Sequence, residues 1–175
     1  MNSKGFTLIE VLIAIAIVSI LSGVFVLNIP KIDKTFKFEQ RVREIAQELK
    51  EVREWALSLK SFNDNEVSGY GIRFDKSSGE HKIIIYVDRD GNNAYQPSDD
   101  TVKEINLNSD NIYISEIKVD DIIKNEADIF FKSPQPTIYI DGAQLDKEIE
   151  VFLTQDSHKF KIYLNRAGLI YVKRE

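Results

Sequence analysis

The chain has 175 residues, a formal net charge of −5 at neutral pH, no cysteine and two histidines. This length allows one small domain with its own core beside an additional segment. Without cysteine the domain has no disulfides and must hold together by burial alone. The acidic balance excludes a protein that attracts nucleic acid over its whole surface.

The first element in chain order is a long apolar run. Residues 6–29 contain a single charged residue, Glu10, and follow a short polar leader, residues 1–5. As a helix, 24 residues reach about 36 Å, which exceeds a hydrocarbon core of about 30 Å. The run is too long for the apolar region of a secretory signal peptide, and no small-residue cleavage triplet follows it. The sequence therefore predicts a membrane-spanning helix over residues 6–29.

The residues around the start of this run carry a recognisable motif. An ionised carboxylate such as Glu10 is costly in lipid and marks a specific partner. The segment from Lys4 to Glu10, KGFTLIE, resembles the processing and methylation site of type IV prepilins and pseudopilins. The resemblance implies that a prepilin peptidase cleaves between Gly5 and Phe6 on the cytoplasmic side, and that Phe6 is then N-methylated. It also implies a single-pass protein of the cytoplasmic membrane, with its N terminus inside and its soluble domain extracytoplasmic, that later joins a filament.

Glu10 has a physical role in such an assembly. Once the leader is removed, the α-amino group of Phe6 is a cation at the membrane surface, and the Glu10 carboxylate of a neighbour neutralises it. Pairing makes the charge tolerable in lipid, so Glu10 favours lateral assembly in a fixed register. The alternative is an ordinary membrane anchor in which Glu10 reaches up to the lipid headgroups. The implied partners are other pilin or pseudopilin subunits, the prepilin peptidase, an inner-membrane assembly platform, and membrane lipid before assembly.

An amphipathic helix is predicted over residues 30–60. Pro30 lacks an amide donor, so we expect a kink or an interruption near Ile29. Beyond it, apolar residues recur at spacings of three and four, while the other faces are charged. This apolar stripe consists of Phe38, Val42, Ile45, Leu49, Val52, Ala56 and Leu59. A free-standing coiled coil is possible, but about three heptads are available and we expect the stripe to pack against a sheet.

Residues 61–175 predict an antiparallel β domain. Nine short runs of β-branched and aromatic residues are separated by turn residues. The predicted strands are 70–74, 83–87, 102–107, 112–114, 129–131, 137–140, 149–153, 160–164 and 169–172. Hairpin turns are predicted at 141–142, 155–157 and 166–168, and residues 120–127 allow a turn of helix. The predicted fold class is α+β, with a long N-terminal pilin helix, half transmembrane and half amphipathic, packed on antiparallel β-sheets.

Three blocks of this domain resemble the GspH/FimT-type minor pilins and pseudopilins. They are residues 69–75 (GYGIRFD), residues 86–100 with their Asp-rich loop, and residues 165–168 (NRAG). The resemblance implies an N-terminal helix that leads into two packed antiparallel sheets. The implied function is that of a structural subunit, a minor pilin or pseudopilin, in a type IV pilus or type II secretion-like filament.

The loop between residues 88 and 100 is the first candidate for site chemistry. Its oxygen-bearing side chains are Asp88, Asp90, Asn92, Asp99 and Asp100. Alternating oxygen donors suit Ca²⁺, but the spacing departs from an EF-hand because the twelfth position is an aspartate and the glycine comes fourth. Aspartate, glycine and asparagine are also what a long hairpin loop needs for positive φ. We predict a plain turn without a cofactor, with a calcium site as the alternative.

A group of basic residues near the C terminus is the second candidate site. They are Lys159, Lys161, Arg166, Lys173 and Arg174. Residues 159 and 161 share one face of a strand, so a binding role in DNA uptake at a pilus tip is the alternative to a purely structural role. The DNA-linked members of the family carry a Gly-Arg-rich tail, whereas Leu169 and Ile170 follow Gly168 here. We therefore do not expect nucleic acid as a partner.

No pattern in the sequence supports an enzyme. It contains no phosphate-binding glycine loop, nucleophile elbow or zinc spacing. His81 and His158 stand at predicted turns or strand edges without a patterned partner, so we expect surface histidines rather than ligands or bases.

Overall fold

A computed structural model gives the structure of the chain. It describes residues 5–58, 61–63, 67–133, 137–144, 148–165 and 167–175, and for residues 24–33 and Ser78 it describes the backbone alone. Several sequence predictions lie outside the described residues: leader residues 1–4, Leu59 of the stripe, and Arg166.

One α-helix, α1 (Leu8–Leu57), extends over 50 residues. Its helical backbone continues through position 30, so the interruption expected near Ile29 is wrong, because one missing amide donor removes a single hydrogen bond from a long ladder. The kink that was the other expectation for Pro30 stays a prediction. The chain divides into two compact units, residues 1–38 and 39–175, and α1 contributes to both.

The structure bears on the predicted span in one respect. Among the residues whose side chains are described, no helix is both long and apolar enough to cross a membrane. Residues 24–29 of the predicted span belong to the stretch whose side chains lie outside the described residues.

The described residues of the second unit form ten strands in two antiparallel sheets. The strands are β1 (Gly69–Asp75), β2 (Lys82–Val87), β3 (Asp100–Asn106), β4 (Tyr113–Val119), β5 (Ile122–Lys124), β6 (Glu126–Lys132), β7 (Thr137–Ile140), β8 (Ile149–Gln155), β9 (His158–Leu164) and β10 (Ile170–Arg174). Sheet A has the order β3-β2-β1-β6-β7, and sheet B has the order β10-β9-β8-β4-β5. Short 3₁₀ turns cover Ser77–Gly79 and Asn108–Asp110. The α+β class with antiparallel sheets is confirmed.

Strand β5 was not predicted. Asp120 and Asp121 both have positive φ, 48° and 65°, and join β4 to β5 as a two-residue hairpin turn. Such turns need positive φ at both central residues, which aspartate tolerates. The helical turn allowed for residues 120–127 is therefore wrong. The tight turn predicted at 141–142 is confirmed, because Asp141 and Gly142 both have positive φ, and Ile140 and Ala143 on either side exchange two backbone hydrogen bonds. It closes an isolated bridge rather than joining two of the strands named above.

The second half of α1 packs on the sheets through its apolar stripe. Val42, Ile45, Leu49, Val52 and Ala56 are at most 2% exposed. Trp55 lies in the same part of α1, and its ring is edge-on to the Tyr70 ring of β1, with 5.7 Å between ring centres. Polar contacts flank the stripe: Ser133 Oγ donates to the Ala56 carbonyl at 2.7 Å, and Lys103 Nζ lies 2.7 Å from Glu48. The predicted packing of this stripe on a sheet is confirmed for residues 42–56.

Candidate functional site

The N terminus of α1 is closed by a reciprocal pair of polar residues. The Thr7 amide donates to Glu10 Oε2 at 2.8 Å, and the Thr7 hydroxyl donates to the same oxygen at 2.7 Å. In return, the Glu10 amide lies 3.4 Å from Thr7 Oγ1. Since Leu8 is the first helical residue, Thr7 is the N-cap and Glu10 stands at the third helical position. This is a capping box, which satisfies amides that the first turn leaves without intrahelical partners.

The spacing Thr-x-x-Glu before an apolar run is a sequence signal for a capping box, although this cap was not among the sequence predictions. The consequence is that Glu10 already has a partner within its own chain before it meets any neighbour. The predicted pairing of Glu10 with the Phe6 amine of another subunit stays a prediction.

The processing junction precedes the helix. Gly5 and Phe6 are both exposed and non-helical, and Phe6 is 88% exposed. A Cβ added at Gly5 would meet no atom of the described residues within 4 Å. An exposed peptide bond outside the helix is accessible to a peptidase. Cleavage there would create an amine one residue before the Thr7 amide that donates to Glu10, so the new cation and the carboxylate would lie close together in one chain.

Apart from Glu10 and Ser19, the face of α1 that carries Glu10 is apolar. It extends over about the first three turns of the helix. Its residues are Phe6, Glu10, Val11, Ala14, Ile15, Val18 and Ser19. The Ser19 hydroxyl donates a hydrogen bond to the Ile15 carbonyl at 2.8 Å, so this polar group has its partner within the helix. A face of this composition suits contact with lipid or with another apolar helix.

The loop of residues 88–99 owes its shape to aspartate side chains that accept backbone amides. Asp88 Oδ1 accepts from Asp90 and Gly91 at 3.1 and 2.8 Å, and its Oδ2 accepts from Asn93 at 2.6 Å. Asp99 closes the other side through the amides of Arg89 and Gln96, at 3.1 and 2.6 Å. Both carboxylates are buried. These hydrogen bonds from backbone amides to aspartate side chains take the place of the strand-to-strand hydrogen bonds of a sheet.

The loop also covers the outer face of sheet A. The Tyr95 ring packs edge-on against Tyr86 of β2, 5.2 Å between ring centres, and Arg73 of β1 lies 4.8 Å above the Tyr95 ring. Asp128 of β6 joins them, because it accepts from Arg73 Nη1 at 3.0 Å and from the Tyr95 amide at 3.2 Å. Burial raises the pKa of Asp128 above its ordinary value, although the Arg73 guanidinium opposes the shift. The loop is thus fixed to the sheet by an aromatic and an ionic contact.

The structure brings together three of the five calcium candidates. Carboxylate oxygens of Asp88, Asp90 and Asp99 lie within 4.8 Å of one another. Asn92 Oδ1 instead accepts the Ala94 amide at 2.7 Å, and Asp100 forms a two-bond pair with Arg89, both bonds 3.0 Å. Burial raises the pKa of Asp88, against the lowering effect of the Asn93 and Gly91 amides. Backbone amides therefore already donate hydrogen bonds to the buried carboxylates of Asp88 and Asp99. The plain turn, with a calcium site as its alternative, stays a prediction.

The basic candidates near the C terminus separate between two faces of sheet B. Lys159, Lys161 and Lys173 lie on the outer face, because their cross-strand partners Thr154, Phe152 and Lys161 do. Arg174 pairs with the buried Phe160 and so lies on the opposite face. Lys118 of β4 joins the outer group, and the Nζ atoms of Lys118, Lys159 and Lys161 lie 5.3, 4.2 and 5.5 Å from the Phe152 ring.

Carboxylates cancel much of this positive charge. Lys161 Nζ lies 2.6 Å from Glu150 and 3.7 Å from Glu175. Glu116 lies between Lys118 and Lys159, at 3.6 and 4.0 Å. A phosphate backbone would have to displace these partners. The described part of the outer face is therefore a mixed-charge surface on which lysine side chains lie over the rings of Phe152 and Tyr163.

Comparison with known proteins adds one finding. Residues 1–26 match the family described as the prokaryotic N-terminal methylation motif. No curated protein and no solved structure matches the chain significantly. The match supports a type IV prepilin-like protein, and such a motif implies in general a membrane-anchored precursor, processing by a prepilin peptidase, and assembly with other pilin subunits.

Proposed function

We propose that this chain is a minor pilin or pseudopilin of a type IV pilus or type II secretion-like filament, assembled through α1. The observation that carries the proposal is the methylation motif over residues 1–26, with an exposed Gly5–Phe6 junction directly before the capped helix. In the proposal, cleavage at this junction yields a new amine close to Glu10 at the start of an apolar helix.

The rest of the molecule is consistent with this role. The amphipathic half of α1 buries its apolar stripe and contacts sheet A at Tyr70 and Lys103, and two antiparallel sheets complete the unit. This is the arrangement expected of a GspH/FimT-type soluble domain. In the proposal, residues 6–29 hold the precursor in the cytoplasmic membrane with its sheets outside. The same apolar surface later packs against neighbouring subunits, since a surface that suits lipid also suits another apolar helix.

A tip subunit that binds DNA is the less supported alternative. Lys118, Lys159, Lys161 and Lys173 share one sheet face, which favours it. Their glutamate partners disfavour it, because nucleic-acid binding draws on uncompensated positive charge. Binding of a short DNA duplex that weakens steeply with added salt, and that is lost in Lys159→Gln, would support this alternative.

The experiment that tests the proposal is recovery of the chain from filaments. In cells that contain the peptidase and the assembly machinery, the full chain should appear in the sheared extracellular filament fraction. A cytoplasmic-membrane marker protein, absent from that fraction, is the control. In cells without the peptidase, the chain should remain in the membrane fraction. A chain confined to the membrane in filament-producing cells would contradict the proposal.

A further inference from the structure

His81 stands in the turn that leads into β2, yet its side chain contacts the other sheet. The Ile114 amide of β4 donates to His81 Nδ1 at 3.1 Å. The pairing of β4 with β8 shifts register between Ile114 and Glu116. On the main-chain side, the His81 carbonyl accepts the Leu107 amide at 2.9 Å. The imidazole therefore connects the beginning of a sheet A strand to an irregular point in sheet B.

A second contact reinforces the same connection. Lys76, just after β1, donates from Nζ to the Ser115 carbonyl of β4 at 3.0 Å. The Tyr113 ring lies edge-on to the imidazole, with 5.3 Å between ring centres and an angle of 81°. Charged and titratable groups on the elements around His81 include Lys76 after β1, Glu80 and Lys82 beside His81, Asp110 of the second 3₁₀ turn, and Tyr113, Glu116 and Lys118 of β4. Asp75 at the end of β1 and Glu104 of β3 act electrostatically on Lys82. Among them, Glu80 pairs with Lys82 at 3.0 Å and Asp110 pairs with Arg41 at 2.8 Å.

The Ile114 contact depends on the protonation state of His81. An imidazole nitrogen accepts a hydrogen bond when it carries no proton, so this contact assigns the neutral ring with its proton on Nε2. Protonation of Nδ1 would place two N–H groups against each other and leave the Ile114 amide without its acceptor. An amide that loses its partner in a partly buried place costs stability.

We propose that His81 is a pH-sensitive latch between the two sheets, closed at neutral pH and opened by acid. Burial, together with the positive charge of Lys76, lowers the pKa of His81. The contribution of neutral His81 to folding stability is therefore complete above its pKa in the unfolded chain, about 6.5. It is lost as the pH falls through the lower pKa that His81 has in the folded chain.

The buried aspartates respond in the opposite direction. Burial raises the pKa values of Asp88 and Asp128, so their contribution is complete in acid and declines as the pH rises. A loss of stability in mild acid therefore points to histidine rather than to these carboxyls. The latch lies within the second unit, residues 39–175, and does not depend on filament assembly.

The test compares two histidine variants of the full chain in detergent micelles. In His81→Asn, the amide oxygen takes the place of Nδ1 and accepts the Ile114 amide at any pH. His158→Asn is the matched control, because the chain contains two histidines. Between pH 7.5 and 5.0, we expect wild type and His158→Asn to lose on the order of 4 °C in Tm, and His81→Asn to lose much less. An equal loss in His81→Asn and wild type would overturn the proposal.

Amide hydrogen exchange gives a second readout on the wild-type chain. After correction for the intrinsic effect of pH, protection of the Ile114 amide should fall about tenfold between pH 7.5 and 5.0. The Ile72 amide, in the middle of β1, should keep its protection. Unchanged protection at Ile114 would overturn the proposal even if His81→Asn failed to fold.

Discussion

At the scale of single residues, Glu10 has two separable roles. Its carboxylate caps α1 through Thr7, and its charge is proposed to pair with the Phe6 amine after cleavage. Glutamine preserves a capping box but carries no charge, whereas alanine removes both. We expect Glu10→Ala and Glu10→Gln both to insert into the membrane and be cleaved, but both to be depleted from sheared filaments. Glu10→Ala should in addition lose about 1 kcal/mol of helix stability, because it removes the third-position partner of the capping box.

The matched control for these variants is Asp156→Asn, at the positive-φ position of the β8–β9 turn, where asparagine is tolerated. Its recovery from filaments should equal that of wild type. Normal recovery of Glu10→Gln together with loss of Glu10→Ala would show that capping, and not charge, is what assembly requires.

The acidic loop gives a second prediction at this scale. Because buried oxygens of Asp88 and Asp99 already accept backbone amides, we expect millimolar Ca²⁺ to leave the Tm unchanged. A bound ion at 100 times its Kd would add about 2.7 kcal/mol. Thermal unfolding of wild type and Asp90→Ala, with and without Ca²⁺, measures this. A rise in wild type that Asp90→Ala abolishes would establish a metal site instead.

At the scale of elements, β1 depends on a glycine for its outer face. A Cβ added at Gly71 would lie 2.1 Å from Tyr86 Cζ, because the Tyr86 ring lies directly over this strand position. Tyr86 is fully buried beneath Tyr95, so the ring has no free space to enter. We expect Gly71→Ala to lower the free energy of unfolding by about 1–3 kcal/mol.

Gly23→Ala is the control for this change. It lies in α1, and a Cβ there would meet nothing within 4 Å. Thermal or denaturant unfolding of the β unit should be unaffected by Gly23→Ala and clearly weakened by Gly71→Ala. Equal stability of the two variants would contradict the packing of Tyr86 over β1.

At the scale of the whole molecule, the two sheets need the helix as a cover. Val42, Ile45, Leu49 and Val52 are fully buried, so removal of the helix would expose an apolar face. We expect a fragment that begins at Lys31 to be a soluble monomer that unfolds cooperatively. A fragment that begins at Ser61 should aggregate. Size-exclusion chromatography and thermal unfolding distinguish them, and a Ser61 fragment as soluble and stable as the longer one would contradict this account.

The sequence contained the periodic features of this fold. The stripe at spacings of three and four predicted which helix face is buried, and alternation predicted strands such as β1 and β9. Strand β5 was missed because it has three residues and an Asp-Asp turn, which gives a weak local signal. The contacts of Arg73 with Asp128 and of His81 with Ile114 join residues 55 and 33 positions apart. The Arg73 contact depends on the order of strands in sheet A, and the His81 contact depends on the register shift beside Ile114. Neither feature can be predicted from a single sequence.

The candidate site at the N terminus was the most predictable part. Gly5, Phe6 and Glu10 lie within one motif of seven consecutive residues, 4–10, so no tertiary information is needed to find them. The division of the basic residues between two faces of sheet B needed the register of β9 and β10, because Lys173 and Arg174 are neighbours in sequence but point to opposite sides.

The central claim is that the chain is a prepilin-like precursor cleaved between Gly5 and Phe6. Intact-mass analysis of the full chain, isolated from cells with and without the prepilin peptidase, tests it most directly. The account predicts a mature chain that lacks residues 1–5 and carries one added methyl group in peptidase-containing cells, and the unprocessed chain in cells without the enzyme. A chain that still begins at Met1 in peptidase-containing cells would contradict it.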